Sequence, residues 1–155
     1  MHAALERNYA HCPRVRCVRA AVTDVSGEVV MLRVKPESIG TEHLGEWAMG
    51  VSSLSDTLLR HYPDDVVTET VPALTFADLV AREGLGRIDV LQIDTEGHDW
   101  KVLRQVDLRH WRPRVVRVEV VNLEPTERLA VADVLAAAGY DLCYTGVDVT
   151  AVRRS

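Results

Sequence analysis

The sequence lacks the features that mark several large classes of protein. It contains three cysteines, an odd number, and no Cys-x-x-Cys pair, which argues against a disulfide framework or a zinc knuckle and favours reduced thiols. No apolar run reaches the roughly 20 residues that a membrane-spanning helix needs. The first residues also hold no apolar signal core. We therefore expect a cytoplasmic protein.

Common ligand-binding and hydrolase motifs are also absent. The chain has no Gly-x-Gly-x-x-Gly or Gly-x-x-x-x-Gly-Lys-Ser/Thr loop, so it carries no self-contained cradle for nucleotide phosphates. No Gly-x-Ser-x-Gly elbow surrounds Ser52, Ser53 or Ser55, which disfavours a serine hydrolase. With 18 basic against 23 acidic residues the formal charge is −5, and this balance argues against nucleic-acid and membrane-surface partners.

The composition that remains is that of one globular domain spanning residues 1–155. Of its 155 residues, 47% are apolar and 26% are charged, which is enough apolar material to bury a core. The stretch around residues 36–71 has scattered glycine, serine and proline. We interpret it as a long irregular insertion, and loops of that length are usually functional or disordered.

Outside this stretch, helical and strand patterns alternate. Residues 15–23 and 28–34 flank a Ser26-Gly27 turn and predict a hairpin, while Thr75 and Gly84 are the start and stop signals of a helix. The other predicted helices are 2–10, 100–106 and 126–138, and the other predicted strands are 88–93, 114–121, 141–145 and 147–153. This order favours an α/β fold with a mostly parallel sheet, helices on both faces and an antiparallel C-terminal edge.

Polar side chains follow the predicted strand 88–93. In open α/β sheets, ligands bind beyond the carboxyl ends of the strands. Asp94, Glu96 and His98 stand there, and Gly97 lets the backbone turn sharply into the next helix. Two carboxylates and an imidazole suit acid–base chemistry, recognition of a hydroxyl group or binding of a divalent cation. The alternative interpretation is that Asp94 or Glu96 only caps the following helix.

Glu119 lies inside the next strand, on the face that Arg117 shares. A charge within an apolar strand is costly unless it is paired or faces a wet cleft. Glu119 therefore either belongs to the cleft or forms a buried pair with Arg117 or Arg114. His98 is either a base, with an ordinary pKa of about 6.5, or a surface residue. Asn122, at the strand exit, is interpreted as a turn former.

Several segments together resemble the FkbM-type methyltransferases and follow the family's order. Residues 88–99, Ile-Asp-Val-Leu-Gln-Ile-Asp-Thr-Glu-Gly-His-Asp, are similar to the family's hallmark run. Gln92 stands where the family has lysine, and Asp99 is acidic at a position where the family also has an acidic residue. The other similar segments are 5–8, 20–27, 50–54, 71–79, 102–103 and 115–119.

The resemblance implies a truncated Rossmann-like class I methyltransferase fold that uses S-adenosylmethionine, mostly to methylate hydroxyl groups, here of a small molecule or glycan. It implies that Asp94 and Glu96 line the cleft near the transferred methyl group, with Asp94 also beside the cofactor and Glu119 at the neighbouring strand end. It also places three residues beside the adenine of the cofactor: Ala20, Ala21 and Val22.

Methyl transfer is an in-line displacement, so positioning and desolvation supply much of its rate. The resemblance implies that a nearby carboxylate or His98 takes the proton of the acceptor hydroxyl. Some related O-methyltransferases hold a divalent cation between carboxylates at these strand exits. Asp94 with Glu119 or Asn122 is similar to that arrangement.

The family's N-terminal third, with its first strand and glycine-rich turn, has no counterpart in this sequence. The alternative to a catalytic fragment is therefore a non-catalytic remnant that acts as a binding or self-association module. A sheet without its central strand exposes an unpaired edge, so we expect a homo-oligomer. A metal-dependent hydrolase is a third interpretation, disfavoured because the chain lacks a His-rich ligand set.

Overall fold

The computed structural model describes residues 2–42, 44–49, 51–54 and 59–154. Gly50, in the family-like segment 50–54, and Ser55 lie outside the described residues. Within them the helices are α1 (His2–Tyr9), α2 (Phe76–Glu83), α3 (Asp99–Leu103), α4 (Leu108–Trp111) and α5 (Pro125–Ala137). The strands are β1 (Ala21–Val22), β2 (Gly27–Val34), β3 (Ser52–Ser53), β4 (Val66–Leu74), β5 (Val90–Ile93), β6 (Val115–Glu119), β7 (Tyr140–Tyr144) and β8 (Asp148–Arg153).

The first sheet is mixed and has the strand order β1-β4-β2-β3. Its centre is the antiparallel pair of β2 and β4, which runs from Gly27 opposite Ala73 to Val34 opposite Val66. β1 adds to β4 in parallel through two residues, and β3 adds to the other edge of β2 antiparallel. The sheet is therefore held mainly by a contact between segments that lie far apart in sequence.

The second sheet has the order β5-β6-β8-β7. β5 and β6 are parallel, with Ile93 opposite Val118, whereas β8 runs antiparallel to both β6 and β7. The α/β class and the antiparallel C-terminal edge are confirmed. The mostly parallel sheet is not confirmed, because both sheets are mixed and the described strands pair in parallel only at β1 with β4 and at β5 with β6.

The predicted hairpin is wrong. Only Ala21–Val22 of residues 15–23 form a strand, and this strand pairs with β4 instead of β2. β4 lies between them because Ala73 is opposite both Ala21 and Gly27. A local pattern of two strands around a turn cannot reveal that a third, distant strand separates them.

The predicted irregular insertion is wrong for its last part, because β4 begins at Val66 and pairs along the whole of β2. Pro72 hides this strand in the sequence, since proline cannot donate to a ladder and is mostly confined to sheet edges. β1 covers β4 only at Ala73 and Leu74, so at Pro72 the strand has a single neighbour. The single-domain boundary of residues 1–155 stays a prediction.

The boundaries of α2 and α5 follow the predicted signals, whereas α3 ends at Leu103, three residues before its predicted end, and α4 was not predicted. Thr75 caps α2 by accepting a hydrogen bond from the Asp78 amide, and Gly84 ends the helix with a left-handed φ of 62°. α5 begins and ends within a residue of its predicted bounds. No helix in the described part of the chain is both long enough and apolar enough to cross a bilayer.

The main core lies between the second sheet and its helices. Val116 and Val118 of β6 are fully buried, whereas Arg117 between them is exposed, as the predicted alternation requires. Val131 and Leu135 of α5 are also fully buried and belong to the same core. Because β6 is fixed in this core, the position of its last residue, Glu119, is fixed with it.

Candidate active site

Carboxylates from two neighbouring strands meet at one edge of the second sheet. Asp94 directly follows β5, and Glu119 ends β6, so the pairing of Ile93 with Val118 makes them neighbours. Glu96 comes from the loop after β5. One oxygen from each of these three side chains lies within 4.8 Å of the others. We call Asp94, Glu96 and Glu119 the carboxylate cluster; it unites three of the four predicted catalytic residues.

Asn122 links two members of the carboxylate cluster. Its side-chain Nδ2 donates to Glu96 Oε2 at 2.9 Å and to Glu119 Oε2 at 3.1 Å. Carboxylates accept hydrogen bonds, so the amide nitrogen is the part of Asn122 that suits this position. The interpretation of Asn122 as only a turn former missed this contact. An amide three residues after a strand-end carboxylate was the available signal.

Burial and the neighbouring negative charges make Glu96 and Glu119 hard to ionise. Burial, followed by the negative charge of Glu96, raises the pKa of Glu119 to about 7. Burial, followed by the charges of Asp94 and Asp99, raises the pKa of Glu96. The Asn122 hydrogen bonds work in the opposite direction for both groups. Glu119 is thus poised to exchange a proton near neutral pH.

A buried aspartate shapes the loop that carries Glu96. Asp99 is fully buried, and its carboxylate accepts hydrogen bonds from the Thr95 amide at 2.9 Å and the Gly97 amide at 3.1 Å. Burial nevertheless raises the pKa of Asp99. α3 begins after His98, which gives it no side-chain cap. The interpretation of Asp94 or Glu96 as the cap is therefore wrong, since Asp99 is the acid that accepts from backbone amides here.

The backbone of Glu96 adopts a conformation that side chains rarely take. Its φ is 54°, in the left-handed region, and the following Gly97 has a φ of 98°. The Glu96 carbonyl accepts a hydrogen bond from Ser53 Oγ at 2.6 Å, which ties the loop to β3 of the first sheet. The turn that Gly97 permits thus aims the Glu96 side chain at Glu119 instead of at α3.

His98 is buried, with 6% of its surface exposed, so the interpretation of it as a surface residue is wrong. Its Nε2 lies 2.9 Å from the Oγ1 of Thr23, a buried residue directly after β1. Burial, followed by the charge of Lys101, lowers the pKa of His98 and favours the neutral ring. His98 joins the two sheets, and its part in proton transfer stays a prediction.

The buried ion pair between Glu119 and an arginine, which was one of two interpretations, does not form. Arg117, on the same strand, pairs with Asp148 of β8. The hydrogen-bond partner of Glu119 is Asn122. Glu119 lies half-buried beside Glu96, and its position in a cleft stays a prediction.

The residues predicted to lie beside the adenine are Ala20, Ala21 and Val22. Ala21 and Val22 form β1, and the next residue, Thr23, contacts His98. Ala20 and Ala21 also line a cavity of about 700 Å³, whose lining includes none of the carboxylate cluster. The structure thus brings the predicted cofactor segment to the active-site loop through Thr23, and its contact with a cofactor stays a prediction.

Comparison with known proteins defines the class as a methyltransferase. A family profile described as "Methyltransferase FkbM domain" matches residues 3–142. "Methyltransferase sdnD" of Sordaria araneosa is 34% identical to this chain over 90 residues, which are 57% of this chain and 29% of that relative. No solved structure matches the chain.

The chain belongs to the FkbM methyltransferase domain family, since the profile covers nearly all of it. The aligned region spans less than a third of the length of the curated relative. The family is therefore established from this chain, whereas the reaction it carries out is a matter of proposal.

Proposed function

We propose that this chain takes part in S-adenosylmethionine-dependent methylation of a hydroxyl group on a small molecule or glycan. The observation that carries the proposal is the carboxylate cluster, which stands at the ends of two parallel strands inside a segment that matches the FkbM family. The carboxyl ends of parallel strands are where α/β folds bind their ligands.

Glu119 is the proposed base. A general base works best when its pKa lies near the operating pH, because a large fraction is then unprotonated and is still basic enough to take a proton. Burial, followed by the charge of the neighbouring Glu96, raises the pKa of Glu119 to about 7, which meets that condition. Glu119 would accept the proton of the acceptor hydroxyl, while bound S-adenosylmethionine would supply the methyl group by breaking its sulfur–methyl bond and would leave as the neutral thioether.

Glu96 and Asn122 position this base. The Asn122 amide holds both carboxylates by direct hydrogen bonds, so the Glu119 oxygen that is not bonded to Asn122 is available to substrate. Asp94 is the exposed member of the cluster and accepts a hydrogen bond from the acceptor. His98 supports the loop that carries Glu96 through its contact with Thr23.

Residues 20–22 are the proposed contact for the adenosyl part of the cofactor. When bound, S-adenosylmethionine supplies a methyl group on a sulfonium centre. The fit rests on the small side chains of Ala20 and Ala21, which line a cavity at the start of β1, and on the Thr23 contact that connects this segment to the loop of Glu96.

A divalent cation is a second candidate for the carboxylate cluster. Carboxylate oxygens are the ligands that Mg²⁺ and Ca²⁺ prefer, and the cluster offers three of them within 4.8 Å of one another. Asp94, Glu96 and Glu119 would hold the ion, which would lower the pKa of a bound hydroxyl. Methyl transfer that survives an excess of EDTA would rule this candidate out.

The test of the proposed base is Glu119→Gln, which keeps the size of the side chain and removes its proton acceptor. We expect methyl transfer from labelled S-adenosylmethionine to hydroxyl-bearing small molecules and glycans to fall at least about 100-fold. The calorimetric heat of S-adenosylhomocysteine binding should be retained. Glu28→Gln, on the exposed side of β2, is the matched control and should leave both unchanged.

The non-catalytic alternative gives a different result. If neither S-adenosylmethionine nor S-adenosylhomocysteine produces a binding heat at millimolar concentration, the chain is a methyltransferase-like remnant. Self-association is then its proposed activity. The edge strand β5, where Val90 is 62% exposed, is the proposed contact with a second copy. Light scattering should give twice the chain mass for the wild type and the monomer mass for Val90→Lys.

A further inference from the structure

A second, smaller cavity lies at the end of the second sheet opposite the carboxylate cluster. Its volume is about 320 Å³, and it lies where α4, the end of α5 and the end of β8 meet. The cluster stands at Glu119, the last residue of β6, whereas Val152 of β8 pairs with Val115, the first residue of β6. The two ends of β6 are about 13 Å apart. The cavity is therefore separate from the proposed active site.

Arginine dominates the lining of this second cavity. Four of its seven described lining residues are arginines and none is acidic, although the chain as a whole has a formal charge of −5. We call the cavity the arginine pocket; its arginines are Arg109, Arg112, Arg153 and Arg154. Like charges that are brought together repel one another, and a bound anion offsets that cost. Such a concentration of arginine in an acidic protein indicates an anion site.

Two acids lie near the arginine pocket, and they do not neutralise it. Asp141 Oδ1 lies 3.8 Å from Arg154 Nε, and this pair is weak because both side chains are largely exposed. Asp107 Oδ1 caps α4 by accepting hydrogen bonds from the Arg109 and His110 amides, at 3.0 Å each. The other three arginines of the pocket form no ion pair within the described residues. Four guanidinium groups against these two carboxylates leave two positive charges in excess.

Backbone carbonyls hold two of the arginines without cancelling their charge. Arg153 Nη1 donates to the Arg112 carbonyl, and Arg154 Nη2 donates to the Ala136 carbonyl at 3.1 Å. Each guanidinium has several N–H donors, so donors remain for a ligand. Burial raises the pKa of Tyr140, and the charges of Arg153 and Arg112 act in the opposite direction. These two guanidinium groups therefore lie near the same phenol, on one side of the pocket.

We propose that the arginine pocket binds a diphosphate group, either as the free anion or as part of a small organic molecule. A guanidinium group donates two parallel hydrogen bonds to phosphate oxygens, and four of them suit two linked phosphates better than one. The volume of about 320 Å³ is at the lower end of the range for ligand pockets, which suits a small anion. The proposal does not depend on methyl transfer.

The test is calorimetric titration of the full chain with inorganic pyrophosphate, inorganic phosphate and sulfate at equal ionic strength. We expect pyrophosphate to bind at least about tenfold more tightly than the other two, because it offers acceptors to more of the guanidinium groups. A ¹H–¹⁵N NMR titration locates the bound anion. The amide resonances of Arg112, Gly139 and Arg154 should shift, and those of Glu96 and Glu119 should not.

Arg109→Gln combined with Arg112→Gln removes two of the four charges. Neither side chain forms an ion pair or hydrogen bond within the described residues, so the melting temperature should be unchanged. The affinity for pyrophosphate should fall at least about 30-fold. The matched control is Arg7→Gln combined with Arg14→Gln, which removes the same charge from two exposed arginines outside the pocket. It should leave the affinity unchanged.

Three results would overturn the proposal. They are an unchanged affinity in the pocket variant, an equal loss in the control variant, and equal affinities for pyrophosphate and sulfate. An equal loss in the control would mean that pyrophosphate responds only to the overall charge of the protein. Titration with ADP identifies the source of the diphosphate. ADP that binds as tightly as pyrophosphate, at the same resonances, supports an organic diphosphate as the ligand, and weaker binding of ADP supports the free anion.

Discussion

The carboxylate cluster and the cavity on the first sheet differ in how the fold supports their charge. The cluster holds three acids on a buried scaffold, in which Asp99 and Asn122 supply the contacts that fix them. The cavity holds two partly exposed arginines around one shared glutamate, with several groups left unpaired. Glu96 and Glu119 are thus held by hydrogen bonds, whereas several polar groups around the cavity lack them.

The difference follows from where each region sits in the fold. The carboxylate cluster extends from strands β5 and β6, of which β6 is fixed in the main core by Val116 and Val118. The cavity lies between α1, none of whose residues is buried, and one face of the first sheet. Positioned acids suit chemistry, which needs fixed geometry.

The largest expected effect comes from removing the scaffold of the carboxylate cluster. In Asp99→Asn, the new Nδ2 group would point a donor at one of the two loop amides that Asp99 now accepts from. We expect the free energy of unfolding to fall by about 2 kcal/mol or more, because a buried donor is left unpaired. Urea unfolding measures this loss.

Asp133→Asn is the control for that substitution, since Asp133 is exposed on α5 and should change the free energy of unfolding little. Ala20 and Ala21 line the cavity on the first sheet, whereas Asp99 supports the carboxylate cluster. If the two regions are independent, the amide resonances of Ala20 and Ala21 should not shift in Asp99→Asn. An Asp99→Asn protein as stable as the wild type would mean that Asp99 does not hold the loop.

The pH dependence of stability gives the second prediction. Glu119 has a pKa of about 7 in the folded protein against an ordinary value of 4.5, so between these values the folded state binds more protons than the unfolded state. The free energy of unfolding therefore falls as pH rises through this window. Glu119→Gln should remove this contribution and be more stable than the wild type at pH 8.

Thermal unfolding from pH 4 to pH 8.5 measures this effect as the difference between wild type and variant. The lowered pKa of His98 gives a slope of the opposite sign, but it is common to both proteins and cancels in the difference. Glu69→Gln, in the cavity wall, should leave the wild-type slope unchanged. A parallel pair of curves for wild type and Glu119→Gln would show that Glu119 ionises normally.

The sequence predicts the second sheet far better than the first. β5, β6 and α5 can be predicted from local sequence, because apolar runs and helix boundary signals involve neighbouring residues. Since the carboxyl ends of parallel strands lie side by side, the sequence also predicts that Asp94 and Glu119 meet. The first sheet depends on the pairing of β4 with β2, which no local pattern encodes. The burial of His98 was missed for the same reason, because its partner Thr23 comes from another element. Asn122 was missed although one of its partners, Glu119, is only three residues away.

The smallest expected effect concerns the backbone of Glu96. Its φ of 54° strains any residue except glycine, so Glu96→Gly and Glu96→Ala lose the same carboxylate but differ in strain. Relief of this strain should make Glu96→Gly more stable than Glu96→Ala by about 1 kcal/mol. The greater conformational entropy of glycine in the unfolded chain reduces this difference. Chemical unfolding of the two variants side by side gives this difference.

Activity separates the two roles of the same residue. Both Glu96 variants should lose methyl transfer, because both lack the carboxylate that adds to the effect of burial in raising the pKa of Glu119. If Glu96→Ala proved as stable as Glu96→Gly, the loop would relax around alanine, and the left-handed backbone would not be what aims Glu96 at Glu119.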